Sequence, residues 1–538
     1  MRRTAHVPRA SRAPLLATLL ALAAAGCDRE PEPPPEPPTL VVMVTVDQLR
    51  TDLVTRYDSL FTGGLRRLLD EGLFYTGASH RHAYTSTAPG HATLATAVHP
   101  SRHGIVANTF VEVGDSGQLT RRYAVEDTLA PIVGFPGLQG RSPATLERDG
   151  VADWVLAADT GSRVLAVSKK DRGAIPLGGR RADAERVHVY WMNLPALRVV
   201  TSAFYRDTYP SWVERFNRET MPALLADTVW MQSTPEPWRA LARPDASPYE
   251  ADGEHVTFPH RQREESRDDD EGRNGWYEIT PFPDRALVAF VDTAVAELQL
   301  GQRGVLDFLS VSFSQTDHIG HRYGPLSQEQ LDNLLHLDRV LDELLTLLDA
   351  RVGEGRWVLG LSADHGVLTI PEHLAEQGVE AHRADPGYAG EVARRVQEVV
   401  ESGVEGDTLL EQVAASLEAL PFIADVLTPA ELRSPADSFA PLYRNSHHPT
   451  RRDTRLPQFD LMVRPAERWY LTSSRTGTSH GSPYWYDRQV PLVLLGAGVQ
   501  AGRSDAEAYT VDLVPTLARL VELEIPADLD GRVLEGGG

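Results

Sequence analysis

The stretch Leu40-Val41-Val42-Met43-Val44-Thr45-Val46-Asp47-Gln48 decides the fold class. Seven consecutive apolar or β-branched residues without polar alternation mark a strand buried on both faces, as in a parallel sheet. The run stops at a carboxylate, and the carboxyl ends of parallel strands are where sites are built. Similar runs follow at Arg163–Val167, Val305–Phe313, Trp357–Leu361 and Val490–Leu495. Helical patterns alternate with them at Gly64–Glu71, Arg285–Leu298, Gln328–Leu348 and Val511–Leu520. This order predicts an α/β fold, a mostly parallel central sheet with helices on both faces. Two stretches break the alternation, 174–284 and 370–475, and both read as insertions that cap the sheet. The first is rich in aromatics and proline and carries the charged run Glu264 to Glu271, which reads as a solvated loop. The second holds helical patterns at Gly390–Val400 and Asp407–Leu420.

The chain has 538 residues, enough for one large core with insertions. Its 42% hydrophobic and 24% charged residues exclude collagen-like, coiled-coil and wholly disordered classes. A formal charge of −22 repels nucleic acid and anionic lipid, so no nucleic-acid binding is expected. An anionic substrate would need a local positive site, which metal ions can supply. The single cysteine, Cys27, excludes an intrachain disulfide and argues against a cysteine-based zinc site. Only two lysines occur, the adjacent Lys169 and Lys170, among 53 basic residues.

Residues 1–26 read as an export signal. Arg2, Arg3, Arg9 and Arg12 precede the apolar run Leu15 to Ala25, which is too short for a spanning helix. The run closes in Ala24-Ala25-Gly26-Cys27, which resembles a bacterial lipoprotein signal cut before Cys27. Residues 27–39, rich in proline and glutamate, form an extended tether. The expected product is a periplasmic protein, membrane-bound only through lipid on Cys27, with its folded body at 40–538. A monomer is expected.

Four segments place Asp and His near strand ends. They are Thr45-Val46-Asp47-Gln48, Gln315-Thr316-Asp317-His318-Ile319-Gly320-His321, Ser362-Ala363-Asp364-His365-Gly366 and Thr478-Ser479-His480-Gly481. Asp317 and His321 share one side of a helical turn. A lone Asp-His pair is ordinarily a turn or a cap. Repetition at successive strand ends argues instead for carboxylate and imidazole ligands, enough for two metals, with zinc favoured by the histidine share. A hydroxyl candidate lies in Tyr84-Thr85-Ser86-Thr87-Ala88-Pro89-Gly90-His91, ahead of a helical pattern at His91–Ala97. Thr87 there could be a simple N-cap, or a nucleophile beside backbone N–H groups that favour an anion.

Together these segments resemble the alkaline phosphatase superfamily of two-zinc hydrolases. The likeness is strongest to bacterial phosphate-insensitive alkaline phosphatases with a threonine nucleophile. Thr87 in Thr-Ala-Pro-Gly-His matches the nucleophile position, and His103-Gly104-Ile105-Val106-Ala107-Asn108 matches the motif whose asparagine binds phosphate. Ser168-Lys169-Lys170-Asp171-Arg172-Gly173-Ala174 matches the Lys-x-Arg motif of the monoesterases. The resemblance implies one zinc among Asp47, Thr87, Asp364 and His365, and a second among Asp317, His321 and His480. It implies that Asn108, Lys170 and Arg172 meet the phosphate oxygens, with Lys169 a bystander.

The implied reaction is hydrolysis of phosphate monoesters of small metabolites through a covalent phosphothreonine, releasing inorganic phosphate. Lys170 and Arg172 favour a monoester dianion over a diester. The alternatives are a nucleotide pyrophosphatase/phosphodiesterase-type diesterase and a non-catalytic phosphate-binding lipoprotein. His318 is expected beside the ligands or facing solvent. His82, His91 and His103 are expected to support the nucleophile loop. The aromatics of 188–217 serve either core packing or a leaving-group pocket.

Overall fold

The computed structural model describes residues 37–433 and 438–536. The export signal, Cys27 and most of the tether lie outside the described residues. From Pro37 onward the chain is one compact unit around a nine-stranded sheet. In chain order its strands are β1 (Leu40–Val46), β2 (Leu73–Tyr75), β3 (Val164–Ser168), β4 (Val187–Asn193), β5 (Arg198–Val200), β6 (Asp307–Phe313), β7 (Trp357–Ser362), β8 (Leu492–Gly496) and β9 (Gly502–Ser504). Their spatial order is β9-β2-β8-β7-β1-β6-β3-β4-β5. The five central strands, β7 to β4, are mutually parallel.

Every residue of β1 is fully buried, because both faces of the sheet are covered. Leu40, Val42, Val44 and Val46 join a core with the helices Gly64–Glu71, Phe282–Leu298 and Gln328–Arg351. Val41 and Met43 point the other way, into a core with the helices Thr87–Thr96, Val151–Ala158 and Leu513–Leu520. Strand periodicity of two thus places one apolar set on each face.

Three expectations change. The run Val490–Leu495 reads as parallel, but β8 is antiparallel to β7. Its chain enters from the loop carrying His480, at the carboxyl edge of the parallel strands, and so has to run back across the sheet. The stretch 174–284 is not wholly an insertion: β4 and β5 extend the central sheet. Its aromatics hid that alternation. Tyr190, Trp212 and Phe216 cluster round Phe290 with ring centroids 5.1–5.4 Å away, so core packing is their use. The charged run overlaps the short helices Gln262–Glu265 and Asp270–Gly275 at its two ends, and the Glu265 side chain is buried against His260. The stretch 370–475 adds no strand to the central sheet. Its helices Tyr388–Glu401 and Gly406–Glu418 pack with the strand pair Ile423–Leu427 and Met462–Pro465 around a separate apolar cluster. Among the described residues no helix is long and apolar enough to cross a membrane.

Candidate active site

Strands β7, β1 and β6 are neighbours, so whatever follows them meets at one edge of the sheet. Asp47 follows β1, Asp364 and His365 follow β7, and Asp317 and His321 lie on the helix Gln315–Tyr323 after β6. His321 Nε2 stands 3.1 Å from Asp317 Oδ1, as their spacing of four residues on a helix requires. His480 arrives from the loop before β8, its Nε2 3.8 Å from the same oxygen and its ring stacked on His365 at 3.5 Å. His365 Nε2 lies 3.4 Å from Asp47 Oδ1 and 3.5 Å from Asp364 Oδ2. All six expected ligands therefore form one cluster.

Two ligand sets are close enough to hold an ion, Asp317 with His321 and His480, and Asp47 with Asp317 and His365. Asp317 thus faces both sets, whereas the sequence reading confined it to one. The direct pairing of β6 with β1 brings its carboxylate beside Asp47. Asp364 is turned toward His91, whose Nδ1 lies 3.1 Å from Asp364 Oδ2.

The donor set fits a first-row cation. Asp47 Oδ1 and His365 Nε2 are buried with no hydrogen-bond partner. The imidazoles are oriented by backbone carbonyls: His321 Nδ1 donates to Thr478 O (2.8 Å), His480 Nδ1 to Thr85 O (2.7 Å) and His365 Nδ1 to Gly366 O (2.9 Å). A carbonyl only accepts, so each neutral ring keeps its lone pair on Nε2, the nitrogen that faces the carboxylates. Burial, with the neighbouring His365 and His321, holds His480 well below the ordinary imidazole range. Burial opposes ionisation of Asp317, but His321, Lys170 and His480 together hold it well below the ordinary carboxylate range. Asp47 is raised by burial and by the adjacent Asp317 and Asp364.

Gln48 joins this centre as well. Gln48 donates from Nε2 to Asp317 Oδ1 (2.6 Å) and from its backbone N–H to Asp364 Oδ1 (3.1 Å). It does so from a left-handed backbone, φ 68°, which is uncommon for a residue with a side chain. Its only sequence signal was adjacency to Asp47.

Thr87 opens the helix Thr87–Thr96, four residues earlier than the apolar pattern predicts. Pro89 falls in the first turn, where a missing N–H has no helical partner to lose. Thr87 is therefore not the N-cap. Ser86 holds that position without a side-chain cap, and Asn108 reaches across instead, its Oδ1 accepting from Ala88 N–H at 2.8 Å. His91 Nδ1 meets Thr87 O at 2.8 Å and its Nε2 meets Ser312 Oγ at 2.8 Å, tying this helix to β6. Gly90 makes the close approach possible, since a Cβ there would sit 2.3 Å from Asp364 O. His103 braces the turn toward Asn108 through Thr93 Oγ1 and Ile105 N–H. His82 is buried beside His80 with ring centroids 4.8 Å apart.

Lys170 follows β3 and is 5% exposed. Its Nζ donates to Asp47 Oδ2 (2.6 Å) and Asp317 Oδ2 (2.5 Å), the oxygens turned away from the histidines. Burial disfavours its charge, but the two carboxylates outweigh that and raise its pKa. Arg172 Nη1 donates to Tyr123 Oη at 3.3 Å, and its Nε is buried without a partner. Lys170 and Arg172 line a cavity of ≈ 510 Å³ with Lys169, Trp191 and His318. His318 is half-buried, its Nε2 2.7 Å from Lys169 Nζ, and Lys169 is as buried as Lys170. A second cavity of ≈ 450 Å³ runs from Ser86 and His480 to Tyr388, Phe422 and Trp469 of the cap.

The sequence profile of the Type I phosphodiesterase / nucleotide pyrophosphatase family matches residues 41–486. The chain belongs to this family. Its membership places it in the alkaline phosphatase superfamily, and the fold agrees. A Myroides odoratus protein named as a calcium-transporting ATPase is 31% identical, covering 91% of this chain and 92% of its own length. Alkaline phosphatase PafA of Elizabethkingia meningoseptica is 28% identical over 92% of this chain and 93% of its own. A crystal structure of alkaline phosphatase PafA superposes with a TM-score of 0.84 at 26% identity, covering 94% of this chain and 99% of that one. A solved PafA variant carries replacements at a threonine, an asparagine, a lysine and an arginine. Their successive intervals of 21, 62 and 2 residues are those separating Thr87, Asn108, Lys170 and Arg172.

Proposed function

We propose that this chain is a zinc-dependent phosphate monoester hydrolase of the alkaline phosphatase type, working through a phosphothreonine at Thr87. The observation that carries the reading is the ammonium of Lys170 set between Asp47 and Asp317, at the edge of a six-residue ligand cluster. Asp47, Asp364 and His365 with Thr87, and Asp317, His321 and His480, with the Asp317 carboxylate also facing Asp47 and His365, would hold two zinc ions. These would acidify the threonine hydroxyl and neutralise the departing oxygen.

Thr87 Oγ1 bonds phosphorus as the bond from phosphorus to the leaving oxygen breaks, and the threonine proton is balanced by the one the departing alcohol takes up. Water then attacks phosphorus from the vacated side, the Oγ1–P bond breaks, and one water proton returns to Oγ1 as inorganic phosphate is released. Asn108 has its Oδ1 fixed on Ala88 N–H, which leaves its amide N–H groups to donate to a phosphate oxygen. Lys170 and Arg172 meet the remaining oxygens as a point charge and a planar fork. A monoester dianion uses both cations, whereas a diester carries an ester group where one of them reaches. Small phosphorylated metabolites are the substrates. The Arg-rich start, the apolar run and Cys27 support export to the periplasm on a lipid anchor. The body works as a monomer.

The test compares an aryl phosphate monoester with the matching diester, alongside zinc analysis. Thr87→Ala should abolish turnover while keeping about two zinc per chain. The double variant Lys170→Ala with Arg172→Ala should lose far more monoester than diester activity. Equal losses count against the monoesterase, and a wild-type preference for the diester would favour the phosphodiesterase reading that the family's name carries.

A further inference from the structure

The chain's two lysines both line one cavity, and they are paired very differently. Lys170 lies between two buried carboxylates. Lys169, 6% exposed, has its Nζ 2.7 Å from His318 Nε2 and 3.5 Å from Glu278 Oε1. The Glu278 side chain is 47% exposed, so its carboxylate is a loose and solvated counter-charge. The other acid on the wall, Asp171, is already engaged by Arg141 Nε (2.5 Å) and Tyr123 Oη (2.6 Å). Burial pulls Lys169 down to about 8. Below that pH it is a buried ammonium with one loose, solvated counter-charge, which favours any anion that reaches it. The cavity of ≈ 510 Å³ has room for one, and Trp191, Leu194 and Pro195 give it an apolar wall beside Lys169, Lys170 and Arg172.

We propose that Lys169 is a specificity-determining residue that receives a second anionic group, a phosphate or a carboxylate, carried on the leaving alcohol of the substrate. Preferred substrates are then bisphosphates and phosphorylated acids rather than simple monoesters. The inference rests on the monoesterase reading. With the scissile phosphate at Lys170 and Arg172, a short carbon linker along the apolar wall spans to Lys169. A chain of charge −22 repels such substrates at long range, so their capture needs a local cation.

The experiment measures kcat and KM for α,ω-alkanediol bisphosphates of two to five carbons against the matching ω-hydroxyalkyl monophosphates. Zinc-loaded wild type, Lys169→Gln and Lys169→Arg are compared. At one linker length or more, wild type should prefer the bisphosphate by on the order of tenfold, the worth of one charge-assisted hydrogen bond. Lys169→Gln should lose that preference through KM, and Lys169→Arg, which keeps the charge and guards against a folding defect, should retain most of it. The proposal is overturned if no length is preferred, or if Lys169→Gln lowers both substrates in proportion, as it would if Lys169 only held His318 and Glu278 in place. Absence of all monophosphate turnover in wild type would instead sink the monoesterase reading. The same preference is then measured by equilibrium binding of the two substrate series.

Discussion

Replacing Lys170 by methionine removes the ammonium between Asp47 and Asp317 and keeps an unbranched stem. The bonds lost are 2.6 and 2.5 Å long, and none of the three side chains is more than 5% exposed. Two buried carboxylate oxygens are left without a donor. Removing one partner of a buried ion pair costs ~3–5 kcal/mol. A folded unit of about 500 residues has a melting entropy of roughly 1 kcal/mol/K. After chelation, Lys170→Met should therefore melt ~3–5 °C below wild type treated in the same way. Zinc at the ligand sets would neutralise the same two carboxylates through their other oxygens. The deficit should then shrink to that of one charged hydrogen bond, ~1.5 kcal/mol or about 1–2 °C. Scanning calorimetry of both proteins, with chelator and with zinc, gives the four melting temperatures needed. An equal deficit in the two conditions would refute the reasoning, because it would mean that Lys170 and the cations do not share Asp47 and Asp317.

Asn108→Ala should lower stability by about 1 kcal/mol through loss of the bond to Ala88 N–H, whereas Asn108→Asp keeps the acceptor and should not. Both should lose on the order of 10²–10³ in monoester kcat through loss of the amide donor, as denaturation curves and initial rates would show together. Asp317 faces both ligand sets, so Asp317→Asn should lose zinc from both, while His321→Ala should keep one ion per chain on elemental analysis. Burial and the neighbouring Glu329 raise Glu250 to about 9. The folded protein then holds a proton that the unfolded chain has released, so this stability is fully present below about pH 4 and is lost as pH rises through 9. Glu250→Gln should flatten the fall in melting temperature between pH 5 and 9 by about 1 °C per pH unit.

The ligand types and their attachment to strand ends were legible because a buried strand has a plain apolar signature and Asp47 or Asp364 stands just beyond it. The helix start at Thr87 was not. Periodicity begins only where a helix has an apolar face, and the first turn here is held by Asn108, 20 residues from its partner Ala88. Strand β4 was hidden because Tyr190 and Trp191 can serve a sheet or a loop, and β5 because the three residues Arg198–Val200 are too few to show a period. That Lys169 is as buried as Lys170 was not legible, because adjacency in sequence carries no information about burial.

By itself the sequence determined the class of fold, the run of apolar strands and the placement of aspartate and histidine near strand ends, since these follow from local composition and from spacing along one chain. Only the tertiary structure decided that Asp317 faces both candidate ligand sets, that Gln48 braces two of the carboxylates, and that the two lysines have unlike partners. Those facts depend on which strands lie side by side, and strand order is set by packing between residues hundreds of positions apart.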